Sequence, residues 1–388
     1  MHILIIPSFY PDKSHPTRGI FIRNQALAIK KAGNKVGVLV APQMITMSDV
    51  FQFWGQLLNP HLDIYNDRGI KTYYPRHWSF YPSIFTKECF IRRSSNYFRN
   101  VLMEYINDVG RPDIFHAHNM MYGGIITSYM TKKFDIPFVL TEHSSAFLNG
   151  SINEWKVPYI KRTLRNADVV LPVSKALSNL LGTYQKPRII SVMGNIVNAN
   201  LFNLPEEPNP MDPFVFSSIG YLIPRKRFDY LIKAFYNAFY RENVILNIAG
   251  DGPERNALEK LVHKLDLTSQ VNFAGFLTPK EISLLIKNSH IVVSASQVET
   301  FGVTLIEAMA CGRPVIATRS GGPEDYVTEN NGILVPVANM HALSKAMRKI
   351  RRTWDQFDPE SIRAQCISRF SEKAIVSRLE NIYASLLK

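Results

Sequence analysis

Two carboxylates stand eight positions apart in a stretch that is otherwise mostly apolar. Residues 297–327 read QVETFGVTLIEAMACGRPVIATRSGGPEDYV and contain Glu299 and Glu307. Ionised carboxylates are rarely buried without partners, so a plain core strand or core helix accounts for neither of them. A carboxylate only accepts hydrogen bonds, which suits the hydroxyl groups of a sugar or a ribose. The spacing therefore indicates a site for a polyhydroxylated ligand.

The residues between the two carboxylates add a way to bind phosphate. The run HIVVSAS (290–296) predicts a strand, and a helix is expected from about Val303 to Cys311, ended by Gly312 and Pro314. The free backbone amides at its start attract anions, and they belong to Phe301, Gly302, Val303 and Thr304. Gly302 has no side chain, so a ligand can approach the backbone closely. The predicted ligand is thus a polyhydroxylated phosphate ester.

Short apolar runs that alternate with helical segments must hold these residues in place. One set extends from HILII (2–6) to ADVVLPVS (167–174), and a second from FVFSSIGYL (214–222) to GILVPV (332–337). The segment PEEPNPMDP (205–213) reads as the linker between them. The alternation predicts two doubly wound, Rossmann-like α/β domains facing across a cleft, over 1–200 and 201–370. A last helix over 371–388 is expected to pack back on the protein body, because its apolar residues form one stripe.

Several segments together resemble a known family. ETFGVTLIEAMACGRPVIATRSGG (299–322) is similar to the E-x7-E region of the retaining glycosyltransferases of family 4, which have the GT-B fold. HILIIPSFYP, DIFHAH, VLTEHS, IGYLIPRKRFDYLIKAF and LNIAGDGPERNALEKL resemble other parts of the family, in the same order along the chain. The resemblance covers nearly all of the chain except the region around 44–105. It implies that 1–200 binds the acceptor and that 201–370 binds the nucleotide-sugar donor.

The resemblance also implies a role for each matching residue. Catalytic contacts fall to Glu299 on the donor sugar, His118 facing that sugar, and Lys226 with Arg225 on the diphosphate leaving group. Glu307 would bind the ribose. The other donor contacts are expected at Gly19, Phe276, Phe301, Gly302, Val303 and Thr304. The acceptor is assigned to Glu142 and His143, and for Glu142 a role in loop structure stays open as the alternative.

Some positions depart from the family pattern or have a simpler explanation. Many members carry arginine where this chain has Tyr221, and we assign the missing charge to Arg225. Lys226 and its neighbours could instead be a solvated turn. His116 and His118 share one face of a strand but lack further metal ligands at suitable spacing, so we expect no metal there. The residues alone favour two structural histidines, and the resemblance implies that His118 lies in the site and leaves His116 structural. Glu324 and Asp325 are explained by capping of a helix start.

The function that the resemblance implies is retaining transfer of a hexose from a UDP- or GDP-linked sugar to an acceptor hydroxyl. A lipid-linked glycan in O-antigen, capsule or exopolysaccharide assembly is the expected acceptor. No Asp-x-Asp occurs in the chain, so no metal and no other cofactor is expected. Two alternatives stay open at this point: a sugar-nucleotide epimerase of the same fold, and a non-catalytic sugar-nucleotide-binding scaffold.

Charge and cysteine content bear on partners and location. The net charge is +13, and residues 1–200 carry +11 of it against +2 for residues 201–388. The segment 76–102 interleaves aromatic and basic residues, which is typical of peripheral membrane binding, so an anionic membrane is an expected partner. No signature of nucleic-acid binding accompanies the basic residues. The three cysteines form no pair pattern, which favours a reduced compartment, the cytoplasm.

Overall fold

A computed structural model gives the fold of the chain. It describes residues 1–13, 15–42, 44–45, 61–76, 79–80, 87–207 and 212–388. The chain divides into two compact units. Unit 1 contains Met1–Val173, Leu177–Met193 and Ile375–Lys388, and unit 2 contains Ser174–Ala176 and Gly194–Ala374. The sequence predicted a boundary between residues 200 and 201, and the described chain passes into unit 2 at Gly194.

Unit 1 contains an eight-stranded sheet in the order β10-β9-β8-β7-β1-β2-β5-β4. The strands are β1 His2–Pro7, β2 Lys35–Leu39, β4 His61–Asp67, β5 Ile70–Arg76, β7 Ile114–His118, β8 Phe138–Glu142, β9 Val169–Pro172 and β10 Ile189–Ile190. All neighbours pair in parallel except β4 and β5, which form an antiparallel hairpin. Strands β1, β7, β8 and β9 are buried along their whole length, as expected for central parallel strands.

The described helices of unit 1 lie between these strands along the chain, except for a last helix that follows unit 2. They are Ile20–Lys31, Lys87–Val109, Ile125–Phe134, Ser145–Leu148, Val157–Asn166, Lys175–Tyr184 and Glu372–Leu386. The first residues of Lys175–Tyr184 are grouped with unit 2. The last helix, Glu372–Leu386, buries Ile375, Leu379 and Tyr383 within unit 1. A separate pair, β3 Met44–Ile45 and β6 Ser79–Phe80, is parallel.

Unit 2 contains a six-stranded, fully parallel sheet in the order β13-β12-β11-β14-β15-β16. The strands are β11 Phe214–Ile219, β12 Val244–Ala249, β13 Val271–Gly275, β14 Ile291–Ser294, β15 Val315–Thr318 and β16 Gly332–Val335. Chain order reverses between β11 and β14, which is the topological switch point of a doubly wound sheet. Ligands bind beyond the carboxyl ends of the strands at such a point, so the loops after β11 and β14 are the expected place for a ligand.

The helices of unit 2 are Phe228–Phe239, Arg255–Lys264, Pro279–Lys287, Val303–Ala310, Met340–Arg352 and Pro359–Phe370. The amphipathic sequence FDYLIKAFYNAF explains the first of them, whose apolar face packs with the strands into one buried core. The fold-class prediction is therefore confirmed: the chain forms two doubly wound, Rossmann-like α/β units.

Parts of the sequence predictions lie outside the described residues. These are residues 208–211 of the expected linker and much of the region 44–105, including Trp78, Tyr81 and Phe85 of the proposed membrane segment. Within the described part of the chain, no helix combines the length and the apolarity that crossing a membrane requires.

Candidate functional site

The loops after β11 and β14 meet at the switch point of unit 2. The first loop contains the short 3-10 turn Pro224–Lys226, and the second extends from Ala295 to Gly302. The backbone N–H of Gln297 donates to the carbonyl of Arg225 at 2.7 Å. This bond ties the two loops together and places the basic residues of the first beside the carboxylate of the second.

Lys226 and Glu299 form an ion pair across these loops. The Lys226 Nζ contacts the Glu299 carboxylate, and the two side chains are 22% and 16% exposed. The pair is thus neither a free surface pair nor sealed from solvent, and a ligand can still reach both groups. A solvated turn, the simpler explanation of Lys226, does not fit a lysine that is held by a carboxylate 73 positions later in the chain.

The Gly-Gly-Pro segment (321–323) and the serine before it support the backbone of Glu299. The N–H of Glu299 donates to the carbonyl of Ser320 at 2.9 Å, and the N–H of Gly322 donates to the carbonyl of Glu299 at 2.7 Å. A Cβ at Gly322 would lie 2.5 Å from the Phe301 Cα, so the backbones pack too closely for any side chain. Glycine is therefore required for the loop to support Glu299 and the start of the following helix.

The two acidic residues after this segment cap backbone amides. Glu324 accepts from the N–H of Gly321 at 3.0 Å, and Asp325 accepts from the N–H of Lys175 at 2.7 Å. The capping explanation that the sequence suggested agrees with these bonds.

The helix Val303–Ala310 begins with unused backbone donors. Gly302 precedes it with φ +90°, a left-handed conformation that favours glycine. Within the described part of the chain, no protein acceptor is recorded for the N–H groups of Phe301, Gly302, Val303 and Thr304. The Phe301 ring itself is buried in the core. Four amides at a helix start form an anion-binding geometry.

Glu307 lies on the same helix and is only partly exposed. No hydrogen-bond donor to its carboxylate is recorded among the described residues. Burial in this desolvating environment raises the pKa of Glu307 from 4.5 to about 8. A carboxylate in such a setting gains most from a ligand that donates hydrogen bonds, as ribose hydroxyls do.

The remaining donor-side residues lie on neighbouring loops. Phe276 follows β13 and is 66% exposed, and Tyr221 follows β11 and is 61% exposed. The Arg225 side chain is exposed. The structure thus brings Lys226, Glu299, the amides of 301–304 and Glu307 onto two joined loops and one helix. Phe276 stands two strands away from β11 in the sheet order.

Unit 1 has its own switch point, between β1 and β7. Gly19 ends the loop after β1 and precedes the helix Ile20–Lys31, with φ +77°. A Cβ at Gly19 would lie 2.8 Å from the carbonyl oxygen of Phe9. A side chain is therefore excluded on grounds of both backbone conformation and space.

A stack of three histidines lies at the carboxyl ends of β7 and β8. The ring of His118 stacks on that of His116 at 4.4 Å and on that of His143 at 5.4 Å. His118 Nδ1 shares a hydrogen bond with His143 Nε2 at 3.1 Å, while His118 Nε2 is buried without a partner among the described residues. Burial and the neighbouring histidines hold the pKa of His118 well below its usual value, so the ring is neutral at pH 7.

His116 has a different environment from His118. Its Nδ1 contacts the hydroxyl of Tyr383 at 2.6 Å, and its Nε2 contacts the Thr141 hydroxyl at 2.7 Å. Both ring nitrogens thus have protein partners. This arrangement is that of a structural histidine.

Glu142 lies beneath the surface of this region. It is fully buried and accepts from the N–H of Met120 at 2.5 Å and from that of Ser144 at 2.6 Å. Burial raises the pKa of Glu142 to about 7, against the lowering effect of these bonds. Its side chain holds the loops after β7 and β8, whereas His143 lines a cavity. Contact of either residue with an acceptor stays a prediction.

That cavity opens at the switch point of unit 1 and measures about 320 Å³. Its walls are mostly apolar, and the lining residues are Ser8, Phe9, Arg18, Phe21, Asn119, Met121, Tyr122, His143, Ser144 and Ser145. Asn119 is 3% exposed, and its Oδ1 accepts from the N–H of His143 at 3.3 Å. Its Nδ2 has no acceptor among the described residues, so a ligand oxygen would satisfy it.

The sequence alone did not single out Asn119. Asn119 and Tyr122 both have positive φ, of +65° and +67°. Such strain in residues other than glycine concentrates at functional sites. The only sequence signal for Asn119 was its position directly after the strand IFHAH.

No group of three or more His, Cys, Asp or Glu side chains with the geometry to hold a metal ion occurs among the described residues. The three histidines of unit 1 are joined by stacking and by the bond between His118 and His143.

Comparison with known families gives two matches that follow one another along the chain. Residues 20–201 match the family described as Glycosyltransferase Family 4, and residues 202–363 match Glycosyl transferases group 1. A lipopolysaccharide core biosynthesis glycosyltransferase, LpsD of Rhizobium meliloti, is 32% identical over 183 residues, which are 45% of this chain and 50% of that protein. The alignments with three curated relatives span 65%, 63% and 50% of their lengths.

Solved structures resemble this fold over nearly its whole length. Sucrose-phosphate synthase from Thermosynechococcus elongatus superposes with a TM-score of 0.77 and 21% identity, covering 99% of this chain and 98% of the other. The Anabaena protein HepE in complex with UDP-glucose superposes with a TM-score of 0.70 and 17% identity, covering 99% and 100%. At these identities the likeness shows the fold alone.

Proposed function

We propose that the chain, whose residues 20–201 and 202–363 match Glycosyltransferase Family 4 and Glycosyl transferases group 1, transfers a hexose from a nucleotide diphosphate sugar to an acceptor hydroxyl with retention of configuration. The observation that carries this proposal is the arrangement at the switch point of unit 2. There the Lys226–Glu299 pair adjoins a helix start with unused amides, and Glu307 lies on that helix.

The donor-binding part of the proposal follows from the chemistry of these groups. The amides of residues 301–304 and Lys226, with Arg225 nearby, would bind the diphosphate, and Glu307 would accept from ribose hydroxyls. Glu299 would accept from sugar hydroxyls once Lys226 turns to the phosphate. The HepE structure, which contains UDP-glucose, supports a nucleotide sugar as donor.

The rate enhancement would be electrostatic. Negative charge develops on the diphosphate as the sugar leaves, and the positive charge of Lys226 and the helix amides would stabilise it. No carboxylate nucleophile is needed if the acceptor attacks from the face that the diphosphate leaves, with a phosphate oxygen taking the proton. His118, neutral and with a free Nε2, would donate to the sugar. We propose that this chemistry requires no metal and no other cofactor.

The acceptor is proposed to bind in the cavity of unit 1. Its aromatic and apolar walls suit the face of a sugar ring, and Asn119 and His143 would bind ring substituents. The similarity to LpsD supports an acceptor of the lipopolysaccharide type, which would be a lipid-linked glycan. We propose that the protein works in the cytoplasm, at the inner face of the cytoplasmic membrane.

A turnover screen tests the proposal. The protein is incubated with UDP- and GDP-linked hexoses and with a lipid-linked glycan fraction, with and without a chelator, and release of the nucleoside diphosphate is measured. One donor is expected to be consumed at the same rate in both conditions, and proton NMR should show a retained anomeric configuration. Manganese-dependent rescue after chelation would contradict the metal-free mechanism.

Variants separate the proposal from its alternatives. Lys226→Ala should lower turnover at saturating donor by about 100-fold or more, the usual cost of removing one charge-stabilising group. Lys233→Ala, an exposed lysine on the helix Phe228–Phe239, is the matched control and should act like the parent. Donor binding without turnover would indicate a scaffold. A changed sugar without release of nucleotide would indicate an epimerase.

A further inference from the structure

Tyr326 is a buried tyrosine with an unusual hydrogen-bonding role. It follows the 3-10 turn Pro323–Asp325 and is 2% exposed. Its hydroxyl donates to the carbonyl of Phe301 at 2.5 Å and approaches the carbonyl of Gly302 at 3.1 Å. These carbonyls belong to the two peptide units just before the helix Val303–Ala310.

The geometry of the peptide bond gives this contact a consequence. In a planar trans peptide the C=O and the next N–H point in opposite directions. The Phe301 carbonyl shares its plane with the Gly302 N–H, and the Gly302 carbonyl shares its plane with the Val303 N–H. A hydroxyl that holds both carbonyls on the buried side therefore turns both N–H groups away from the core.

The tyrosine ring is itself held in place. It packs against the rings of Phe301 and Phe370, with centroids 5.4 Å and 5.6 Å away. The Asn331 Nδ2 donates to the Tyr326 carbonyl at 3.0 Å. Burial raises the pKa of the Tyr326 hydroxyl well above its usual value, so it remains a proton donor over the working pH range.

The neighbouring glycine fits the same arrangement. A Cβ at Gly302 would lie 2.8 Å from the Tyr326 hydroxyl. The glycine thus permits both the left-handed backbone and the approach of the tyrosine. The contact is a built feature of this loop, because residues from three stretches of the chain, 301–302, 326–331 and 370, meet to form it.

We propose that Tyr326 is a positioning residue that aims the Gly302 and Val303 amides at the phosphates of the nucleotide sugar. The inference rests on the proposed function, since it assumes that these amides bind a diphosphate. It adds a residue that touches no ligand and acts through the backbone. Its loss should weaken the phosphate part of binding and spare the nucleoside part.

The test compares a ligand with phosphates and one without. Dissociation constants of UDP and uridine are measured for the parent and for Tyr326→Phe; if guanosine and GDP bind the parent more tightly, that pair is used. The ratio of uridine to UDP dissociation constants should fall five- to tenfold in Tyr326→Phe, while uridine binding stays within twofold. A merely structural loss would weaken both ligands together.

Two further variants keep the test decisive. Tyr105→Phe, a buried tyrosine of unit 1 whose hydroxyl contacts His2 at 2.7 Å, is the matched control and should keep the parent ratio. If Tyr326→Phe does not fold, Asn331→Ala, which removes the bond to the Tyr326 carbonyl, should lower the ratio in the same direction.

The outcomes distinguish the positioning role of Tyr326 from the proposed function of the protein. A parent that binds UDP and GDP no better than their nucleosides overturns the proposed function. A parent that prefers the diphosphate, together with an unchanged ratio in the folded variant, overturns the role of Tyr326 and leaves the function standing.

Discussion

Glu307 is expected to couple the proposed nucleotide binding to pH. Its pKa is raised to about 8 by desolvation, so at pH 7 most molecules hold a proton on this carboxyl. A protonated carboxyl accepts hydrogen bonds from ribose less well than a carboxylate does. Binding of a nucleotide sugar therefore selects the ionised form and should release a proton below pH 8.

We predict that the affinity for the nucleotide sugar rises about tenfold per pH unit from about pH 6 to pH 8 and then levels off. UDP-glucose is a suitable probe because its diphosphate does not titrate in this range. Isothermal titration calorimetry in buffers of different ionisation enthalpy measures both affinity and proton release. Glu307→Gln should bind more weakly above pH 8 and show no such slope. If Glu307→Gln shows the same dependence of affinity on pH as the parent, the coupling belongs to another titratable group.

The same residue affects the stability of the protein without ligand. The folded chain retains a proton at Glu307 between the ordinary pKa of 4.5 and about 8, where the unfolded chain has lost it. The stability that this proton provides is complete below pH 4.5 and is lost as the pH rises through about 8. In urea unfolding, Glu307→Gln should therefore be the more stable chain above pH 8. An equal or lower stability there would contradict the raised pKa.

Residue types alone reveal part of this site. Glu299 and Glu307 stand out because charge inside an apolar pattern needs a partner. The family resemblance adds Lys226. Tyr326 and Asn119 do not, because a tyrosine beside a turn and an asparagine after a strand occur for many reasons. Their roles depend on which backbone atoms they meet, and that is decided by contacts between distant segments.

At the level of elements, the close packing of two loops supports the proposed donor site. The Gly322 backbone lies against Thr300 and Phe301, and its φ of −76° is open to any residue. A substitution of Gly322 therefore changes the packing between the loops without straining the backbone conformation. We expect the added methyl group of Gly322→Ala to displace the loop that contains Glu299.

We predict that Gly322→Ala destabilises the protein by about 1–3 kcal/mol, as overpacking does, and weakens nucleotide-sugar binding. Gly182→Ala is the matched control, since Gly182 lies in the helix Lys175–Tyr184 and has no atom within 4 Å of the position that an alanine methyl group would take. That change should stabilise the chain by about 0.5–1 kcal/mol because alanine favours a helix. Urea unfolding measures both. A Gly322→Ala chain as stable as the parent would mean that the loops separate easily.

Sequence patterns predicted the parallel strands well, because short apolar runs followed by polar clusters are typical of buried parallel strands. The hairpin of β4 and β5 was not predicted. Its strands, HLDIYND and IKTYYPR, mix charged and apolar residues without a clear pattern. Their position depends on pairing of β5 with β2, a contact between distant segments that the sequence pattern does not indicate. The sequence predicts an interleaved aromatic and basic surface over 76–102. The helix Lys87–Val109, which contains much of that segment, has one buried and one exposed face.

At the level of the whole molecule, the basic charge is concentrated in the first half of the chain, with +11 in residues 1–200 and +2 in residues 201–388. On the helix Lys87–Val109, Phe90 and Phe98 are buried at 5% and 0% exposure. Those two aromatics belong to the core of unit 1. Arg92 and Arg93 are exposed and Arg99 is partly exposed. Any membrane contact by this helix would therefore depend mainly on charge.

We predict salt-sensitive binding to anionic vesicles through this face. Each basic side chain near an anionic surface contributes about 1 kcal/mol, and the attraction fades within the Debye length of about 8–10 Å. Changing Arg92, Arg93 and Arg99 to glutamate should therefore lower the partition coefficient onto phosphatidylglycerol vesicles, measured by sedimentation, by about 100-fold or more.

A control variant with the same net charge carries glutamate at three exposed basic residues of unit 2, Lys345, Lys349 and Arg352. The control variant should sediment with the vesicles as the parent does. Adding about 0.5 M salt should release the parent and the control variant from the vesicles, since ions at that concentration screen surface charge strongly. Equal loss in both variants would mean that net charge alone attracts the protein, and equal binding to neutral vesicles would end the proposal of an electrostatic membrane contact.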